Sequence, residues 1–320
     1  MIQFQGVNSM FSKKIDEWSQ ERGYRVGIGG IDLLKSVNKE LEQRRTTREI
    51  DPNFFKENLN SISGSNDFDM KHPSSLIVVA VPRSAHIVSF EFDTKIIEMV
   101  LPPTYVGYRS LFETIRQDIE KHVFAGQVQV TTLSSPLKAL ANLIGIVSYG
   151  RNNLTYIPEF GSYLQLAGFL AHTPLSKTEF VENNGKQVLP ECANCSACIK
   201  ACPMGVISRD RFLIRAEKCY TLYSESLSPI PSGIHPPSPN CIIGCLKCQM
   251  VCPVNKGRLK YENTGVSFSS EETHAILDSD LMNPKLSGTI EAKFSTLGLS
   301  ESVDIFFRNF RNFMCNLKED

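Results

Sequence analysis

A chain of 320 residues with 42% hydrophobic and 21% charged side chains is long enough for two domains and too ordinary in composition to be disordered. Its 34 basic and 34 acidic residues cancel, so no overall field marks a nucleic-acid partner. The longest apolar run, Leu76 to Val81, is far below the roughly 20 residues that cross a bilayer, and the opening MIQFQGVNSMFSKK lacks a signal-peptide core, so a cytoplasmic protein without a membrane partner is expected.

Phe11, Ile15 and Trp18 recur at helical spacing and predict a helix over 11–21 that stops before Gly23. RVGIGGI (25–31) reads as a short strand or strand-turn. Its glycines miss the dinucleotide fingerprint because Asp32 stands where the third glycine belongs, and a backbone turn is their expected role. Residues 31–60 read as mostly helical, with Arg44, Arg45 and Arg48 forming a solvated basic face. SSLIVVAVP (74–82) is the best strand, apolar, rich in β-branched residues and closed by Pro82. HIVSFEF (86–92) and KIIEMVLPP (95–103) predict further strands. Leu111, Phe112, Ile115, Ile119 and Val123 share one stripe and predict a helix over 108–123. QVQVTTL (127–133) is the next strand, and SSPLKALANLIGIVSYG (134–150) a second helix opened by Ser135 and Pro136. Strands alternating with helices through residue 175 predict an α/β (α+β) domain over 1–185.

From Cys192 the composition changes. Nine of the ten cysteines lie between Cys192 and Cys252, which in a chain expected to be intracellular points to metal or cluster ligation before disulfides. SPIPSGIHPPSP (228–239) adds irregular loop, so 186–258 is expected to be a ferredoxin-like domain of loops and short helices. Residues 259–320 follow as a helical extension. Its last stretch, SVDIFFRNFRNFM, sets Val303, Phe306, Phe307, Phe310 and Phe313 on one face, and docking of that face on the core is expected.

Cys192, Cys195, Cys198 and Cys202 form CxxCxxCxxxCP, completed by Pro203. Three thiolates from one tight loop grip one cubane, while the fourth points away to the other cluster. Zinc is the competing reading, but zinc ribbons usually separate their pairs by a longer hairpin and need no terminal CP. A thioredoxin-type redox pair needs only two cysteines. Cys245, Cys248 and Cys252 repeat the motif as CxxCxxxCP. By the crossing rule, cluster one takes Cys192, Cys195, Cys198 and Cys252. Cluster two takes Cys202, Cys245 and Cys248 and needs a fourth thiolate from Cys219 or Cys241; spacing favours Cys241, the nearer in sequence. No histidine stands at ligand spacing.

Three stretches together resemble the epoxyqueuosine reductases, iron-sulfur and cobalamin enzymes that remove an epoxide oxygen from a queuosine precursor in tRNA; their superfamily includes the reductive dehalogenases. GRNNLTYIPEFGSYLQLAGFLAHTPL (150–175) is similar to that family's glycine, lysine and asparagine turn and its PEFGS strand. CANCSACIKACPMGVI, followed by IRAEKCYTLYSE, is similar to its first cluster motif and its RRC segment, and IIGCLKCQMVCPVNKG to its YGCDxCQxVCPWN. With a looser match at GYRVGIGGIDLL, the resemblance spans most of residues 11–255. It implies that Cys219 is the fourth ligand of cluster two and that Cys241 is spare. It also implies a cobalamin cradled by the N-terminal domain, with Arg151, Asn152, Asn153, Glu159, Phe160, Gly161 and Ser162 as the matching residues.

The family's proton-donating aspartate belongs to an RDYHK-like stretch, and TYVGYRSLF here sets Gly107 at that position, leaving Tyr108 or Tyr105 as donor, with Tyr108 as the catalytic candidate. No helical repeats of the kind that many members use for tRNA follow Cys252, so a substrate other than epoxyqueuosine-tRNA is expected. The resemblance implies an oxidoreductase with two 4Fe-4S clusters and a corrinoid, fed by a low-potential donor of ferredoxin or flavodoxin type and acting on a small molecule or a corrinoid protein. An electron-transfer protein without substrate chemistry, and a tRNA epoxyqueuosine reductase with a relocated acid, are the alternatives.

Overall fold

The computed structural model describes residues 2–59, 75–178, 188–229, 241–278 and 284–317. In chain order these form α1 (Ile2–Glu21), β1 (Arg25–Gly29), α2 (Asp32–Thr46), α3 (Pro52–Asn58), β2 (Ser75–Pro82), β3 (Ala85–Phe92) and β4 (Lys95–Leu101). Next come α4 (Tyr108–Asp118), continued by a π-helical turn over Ile119–Val123, β5 (Val130–Thr132), α5 (Leu137–Ile144), β6 (Ser148–Tyr149), β7 (Thr155–Tyr156) and β8 (Leu164–Ala171). The remainder holds α6 (Ala197–Ala201), α7 (Tyr220–Ser224), α8 (Lys247–Met250), β9 (Tyr261–Phe268), α9 (Ser270–Asp278), α10 (Pro284–Leu297) and α11 (Val303–Leu317). Two compact units divide the chain: Met1–Pro82, Ser110–Cys195 and Arg209–Ile214 make unit one, and Arg83–Arg109, Ser196–Ser208 and Arg215–Asp320 make unit two. They interleave along the sequence, whereas composition suggests three consecutive segments.

Unit one is built on a four-stranded sheet of order β1-β2-β8-β5 in which every pair is antiparallel. Strand β2 is covered on both faces, which is why it reads as an unbroken apolar run. Ile77, Val79 and Val81 meet Phe11, Ile15 and Trp18 of α1 together with Ile115 and Ile119. Leu76, Val78 and Ala80 meet Leu34 and Val37 of α2 and Leu140 and Ile144 of α5.

Three expectations change here. The glycines of β1 do not make a turn. A Cβ at Gly27 would stand 2.5 Å from Cγ2 of Ile144, so that glycine lets α5 approach the strand. Helix α5 is shorter than expected, because Gly145 (φ 89°) closes it with an amide that donates to the carbonyls of Ala141 and Asn142. Arg44 is not on a solvated face. It is only 8% exposed, with salt bridges of 2.6 Å to both Glu40 and Glu49, and its guanidinium lies 5.1 Å from the Phe212 ring centre.

In unit two β3 pairs antiparallel with β4 and parallel with the distant β9. The Phe90 ring stacks on Phe268 and Phe310 at 4.7 and 4.3 Å, and Phe294, Phe306 and Phe307 complete an aromatic core. Phe306, Phe307, Phe310 and Met314 of α11 are buried there, with Val303 and Phe313 at its edge. Asn309 and Arg308 bind α11 to α7 through the carbonyls of Ser224 and Tyr223, at 2.9 and 2.7 Å. Beyond Pro229, the expected loop SPIPSGIHPPSP lies outside the described residues. Among the described residues no helix is long and apolar enough to cross a membrane.

Candidate cluster and cofactor site

The two CP motifs produce the same backbone. Cys202 ends α6 at φ −71°, ψ 114°, and Cys252 follows α8 at φ −72°, ψ 123°. Both are driven out of the helical region by the proline that follows. Helices α6 and α8 pack on one another, carrying Cys198 and Cys248 on equivalent short turns. Cys219 immediately precedes α7 in extended conformation.

Cys202, Cys219 and Cys245 stand together in unit two. Burial pushes the Cys245 thiol up to about 11, and the charges of Cys219 and Cys202 add to that rise. Burial also raises Cys219, with Cys202 contributing. Backbone amides oppose this: the N–H of Thr221 serves the sulfur of Cys219, and the N–H of Lys247 that of Cys245. Such N–H···S bonds favour the thiolate and tune a cluster held by it. None of the ten cysteines is in a disulfide. Among the described residues no three His, Cys, Asp or Glu side chains are set to grip a single metal ion.

Cys241 is placed differently. It is 3% exposed, forms a β-bridge with Val100, and leads into Ile242 and Ile243, both buried in the aromatic core. Gly244 then turns the chain at φ 71°, and a Cβ there would stand 2.3 Å from the Tyr105 hydroxyl. The extra residue between Cys241 and Cys245 thus belongs to a sheet-to-loop transition. Burial first, then the neighbouring Cys245, pushes the Cys241 thiol up to about 12.

In unit one the turn Gly150–Asn153 joins β6 to β7 beside Cys192. The Arg151 amide donates to Sγ of Cys192 at 3.4 Å, and the Arg151 guanidinium donates to the Cys192 carbonyl. Asn152 is consumed internally, its amide donating to the Tyr156 hydroxyl at 2.9 Å. Asn153 sits at φ 59°, and its Nδ2, like Nε of Arg151, is buried with no hydrogen-bond partner.

The PEFGS segment, expected to be a strand, is a tight turn closed by an Ile157–Gly161 bridge with Gly161 at φ 62°; β8 begins only at Leu164. Glu159 is paired with Arg25, Phe160 packs on the α5 side of the core, and Ser162 is buried. Of the seven cofactor candidates, Arg151 and Asn153 therefore present unused buried donors.

Gly107 has φ 64°, donates its amide to the Leu297 carbonyl at 3.3 Å and meets Gly298. Tyr108, at the start of α4, is 49% exposed. Tyr105 is half-buried and donates to the Glu225 carboxylate. Burial, then Glu225, raises its pKa well beyond the ordinary phenol value, and burial raises that of Glu225. Glu225 went unnoticed in the sequence, although it lies in the YTLYSE stretch, because nothing in its spacing connects it with Tyr105.

Residues 191–255 match the family described as a 4Fe-4S double cluster binding domain, and this segment binds two 4Fe-4S clusters. The epoxyqueuosine reductase of Bacillus subtilis is 30% identical over 121 residues, covering 38% of this chain and 29% of that protein. For the Escherichia coli epoxyqueuosine reductase the identity is 28% over 272 residues, covering 78% of this chain and 66% of that one. The solved epoxyqueuosine reductase of Streptococcus thermophilus shares the mixed α/β fold, with a TM-score of 0.56 at 19% identity over 95% of this chain and 81% of that one. The chain thus spans less than a third of the first of these relatives and about two thirds of the second.

Proposed function

We propose that this divergent relative of the epoxyqueuosine reductases is an iron-sulfur and corrinoid-dependent oxidoreductase acting on a substrate other than epoxyqueuosine-tRNA. In this reading Cys192, Cys195, Cys198 and Cys252 hold one cluster, and Cys202, Cys219, Cys245 and Cys248 hold the other. The observation that carries the reading is the bond from the Arg151 amide to Sγ of Cys192. It sets the turn that resembles a cofactor cradle directly against a cluster ligand, so electrons would have little distance to cover.

The residues of that turn fit a corrinoid. The buried Nε of Arg151 and Nδ2 of Asn153 lack partners, and an amide-rimmed macrocycle offers the acceptors they need. Bound there, the corrinoid would supply a cobalt centre that is reduced by the clusters; the chemistry is the cofactor's, and the chain supplies position, electrons and a proton. Arg151 holds the turn to Cys192, Gly161 permits the left-handed second turn, and Tyr108 holds the proton at Oη. Tyr108 suits that role better than Tyr105, because its side chain is accessible and that of Tyr105 is bound to Glu225.

The substrate assignment rests on Gly107, whose left-handed backbone suits glycine and offers no acid. The same feature supports a second reading, a low-potential electron carrier without substrate chemistry. Anaerobic purification, iron analysis and addition of cobalamin separate the two. The oxidoreductase reading expects two four-iron clusters and a shifted corrinoid spectrum that stays with the protein through gel filtration. An unshifted spectrum in protein with both clusters would leave the carrier. Rescue of epoxyqueuosine reduction in a deletion strain would show tRNA to be the substrate after all.

A further inference from the structure

Charge is balanced over the whole chain, yet it is segregated around the clusters. Residues 196–208 and 241–260, all in unit two, contain Lys200, Lys247, Lys256, Arg258 and Lys260 but no aspartate or glutamate. Among the described residues none of the four lysines takes part in a salt bridge. Glu262, the first acid after the segment, accepts a hydrogen bond from the Ser84 hydroxyl at 2.6 Å. Within this basic field Met250 and Val251 are 43% and 40% exposed, and Tyr261 is exposed beside Lys260. Met250 and Val251 sit between Cys248 and Cys252, and the packing of α6 on α8 brings Lys200 to the same pair of helices. Exposed apolar side chains in the ligand loops, on the same segments as lysines that form no salt bridge, have the make-up of a small, transient and electrostatically steered interface.

We propose that the face formed by α6, α8 and residues 253–261 docks a small acidic protein carrying a one-electron flavin or iron-sulfur centre. One electron passes from the reduced centre of that carrier to an oxidised cluster; the carrier is oxidised, the cluster is reduced, and no bond forms or breaks. The apolar side chains exclude water at the point of closest approach, and the lysines set orientation and encounter rate. The proposal rests on the clusters being redox-active, as the proposed function holds.

The test is anaerobic stopped-flow reduction of the cluster-loaded chain by a reduced acidic flavodoxin, followed by bleaching of the cluster absorbance, with dithionite in parallel. A triple variant Lys200→Glu, Lys256→Glu, Lys260→Glu with unchanged iron content should react ~10-fold or more slowly with flavodoxin at low salt and equally fast with dithionite. Added salt should slow the natural chain and leave the variant almost unaffected. Met250→Gln probes the apolar centre without changing the charge and should also slow the flavodoxin reaction alone. Equal flavodoxin rates in natural chain and variants, while dithionite reduces all of them, would overturn the surface and leave the oxidoreductase reading standing. If dithionite cannot reduce the natural chain either, both readings fall. A triple variant that loses affinity for a tRNA stem-loop but keeps its flavodoxin rate would make the face a nucleic-acid interface and defeat the proposal.

Discussion

Cys241 and Cys219 compete for one place, and their surroundings differ in kind. Cys241 is bridged to β4, leads into the buried Ile242 and Ile243 and neighbours Cys245 alone among the cysteines, whereas Cys219 immediately precedes a short helix, with its sulfur near both Cys202 and Cys245. Cys219→Ala should therefore lose one cluster, about half of the protein's iron, while Cys241→Ala should keep both; iron analysis of anaerobically purified variants decides, and the reverse result would hand the ligand role to Cys241. Gly27 provides a second test at this scale. Alanine there would bring its methyl to 2.5 Å from Cγ2 of Ile144, and Ile144 is held in the core by α5. Gly27→Ala should cost about 1–3 kcal/mol in stability, the usual penalty for overpacking, read as a lower urea midpoint. A glycine serving only an open turn would tolerate the change.

Helix α9 opens with a capping box. The Glu272 amide donates to Oγ of Ser269 at 3.3 Å, and the Ser269 amide donates to the Glu272 carboxylate at 2.8 Å. That carboxylate also receives the Lys293 ammonium of α10. Burial alone would raise the Glu272 pKa, but the hydrogen bonds from Lys293, Ser269 and Thr289 outweigh it and hold the pKa below the ordinary glutamate value. A carboxyl whose folded pKa is depressed contributes its full stability above the unfolded value of about 4.3 and loses it as pH falls through the folded one. Glu272→Gln should accordingly cost about 1–3 kcal/mol at neutral pH, and the gap from the natural chain should close on acidification, as followed by circular dichroism melts. Lys293→Met should cost less in the Glu272→Gln background than alone. The box was legible as Ser269-x-x-Glu272, although the hydropathy pattern drew no attention to it. Strand β2 was legible because both its faces are buried. Strand β9 was not, since among Tyr261–Phe268 only Val266 and Phe268 are buried and its register against β3 shifts between Ile87 and Ser89. PEFGS looked like a strand and folded as a turn because a glycine able to take positive φ stands at its end.

The interleaving of the two units was hidden from sequence reading for a related reason. Parallel pairing of β3 with β9 joins segments far apart in the chain, and only the three-dimensional packing of Phe90 against Phe268 and Phe310 reveals it. The chemistry was easier to read than the topology, because cysteine spacing reports cluster geometry directly, while the contact of Arg151 with Cys192 depends on two segments meeting. Helices α6, α7 and α8, all within the segment 191–255 that matches the double-cluster domain, contain five, five and four residues, far short of the ~12 at which a helix begins to persist alone. Helices α6 and α8 pack on one another and α7 is bound to α11; in the proposed ligand set the clusters supply the remaining constraint, so iron and local fold should be lost together. The sheet of unit one draws its stability from two apolar cores that contain no cysteine. Removal of iron by anaerobic chelation should therefore expose residues 188–260 to limited proteolysis while β2 and β8 keep slow amide exchange, seen as protease fragments and as exchange rates by mass spectrometry. Uniform loss of protection through β2 and β8 would mean instead that the clusters are needed to hold the sheet, and protection unchanged in residues 196–208 would mean that these helices stand without ligation.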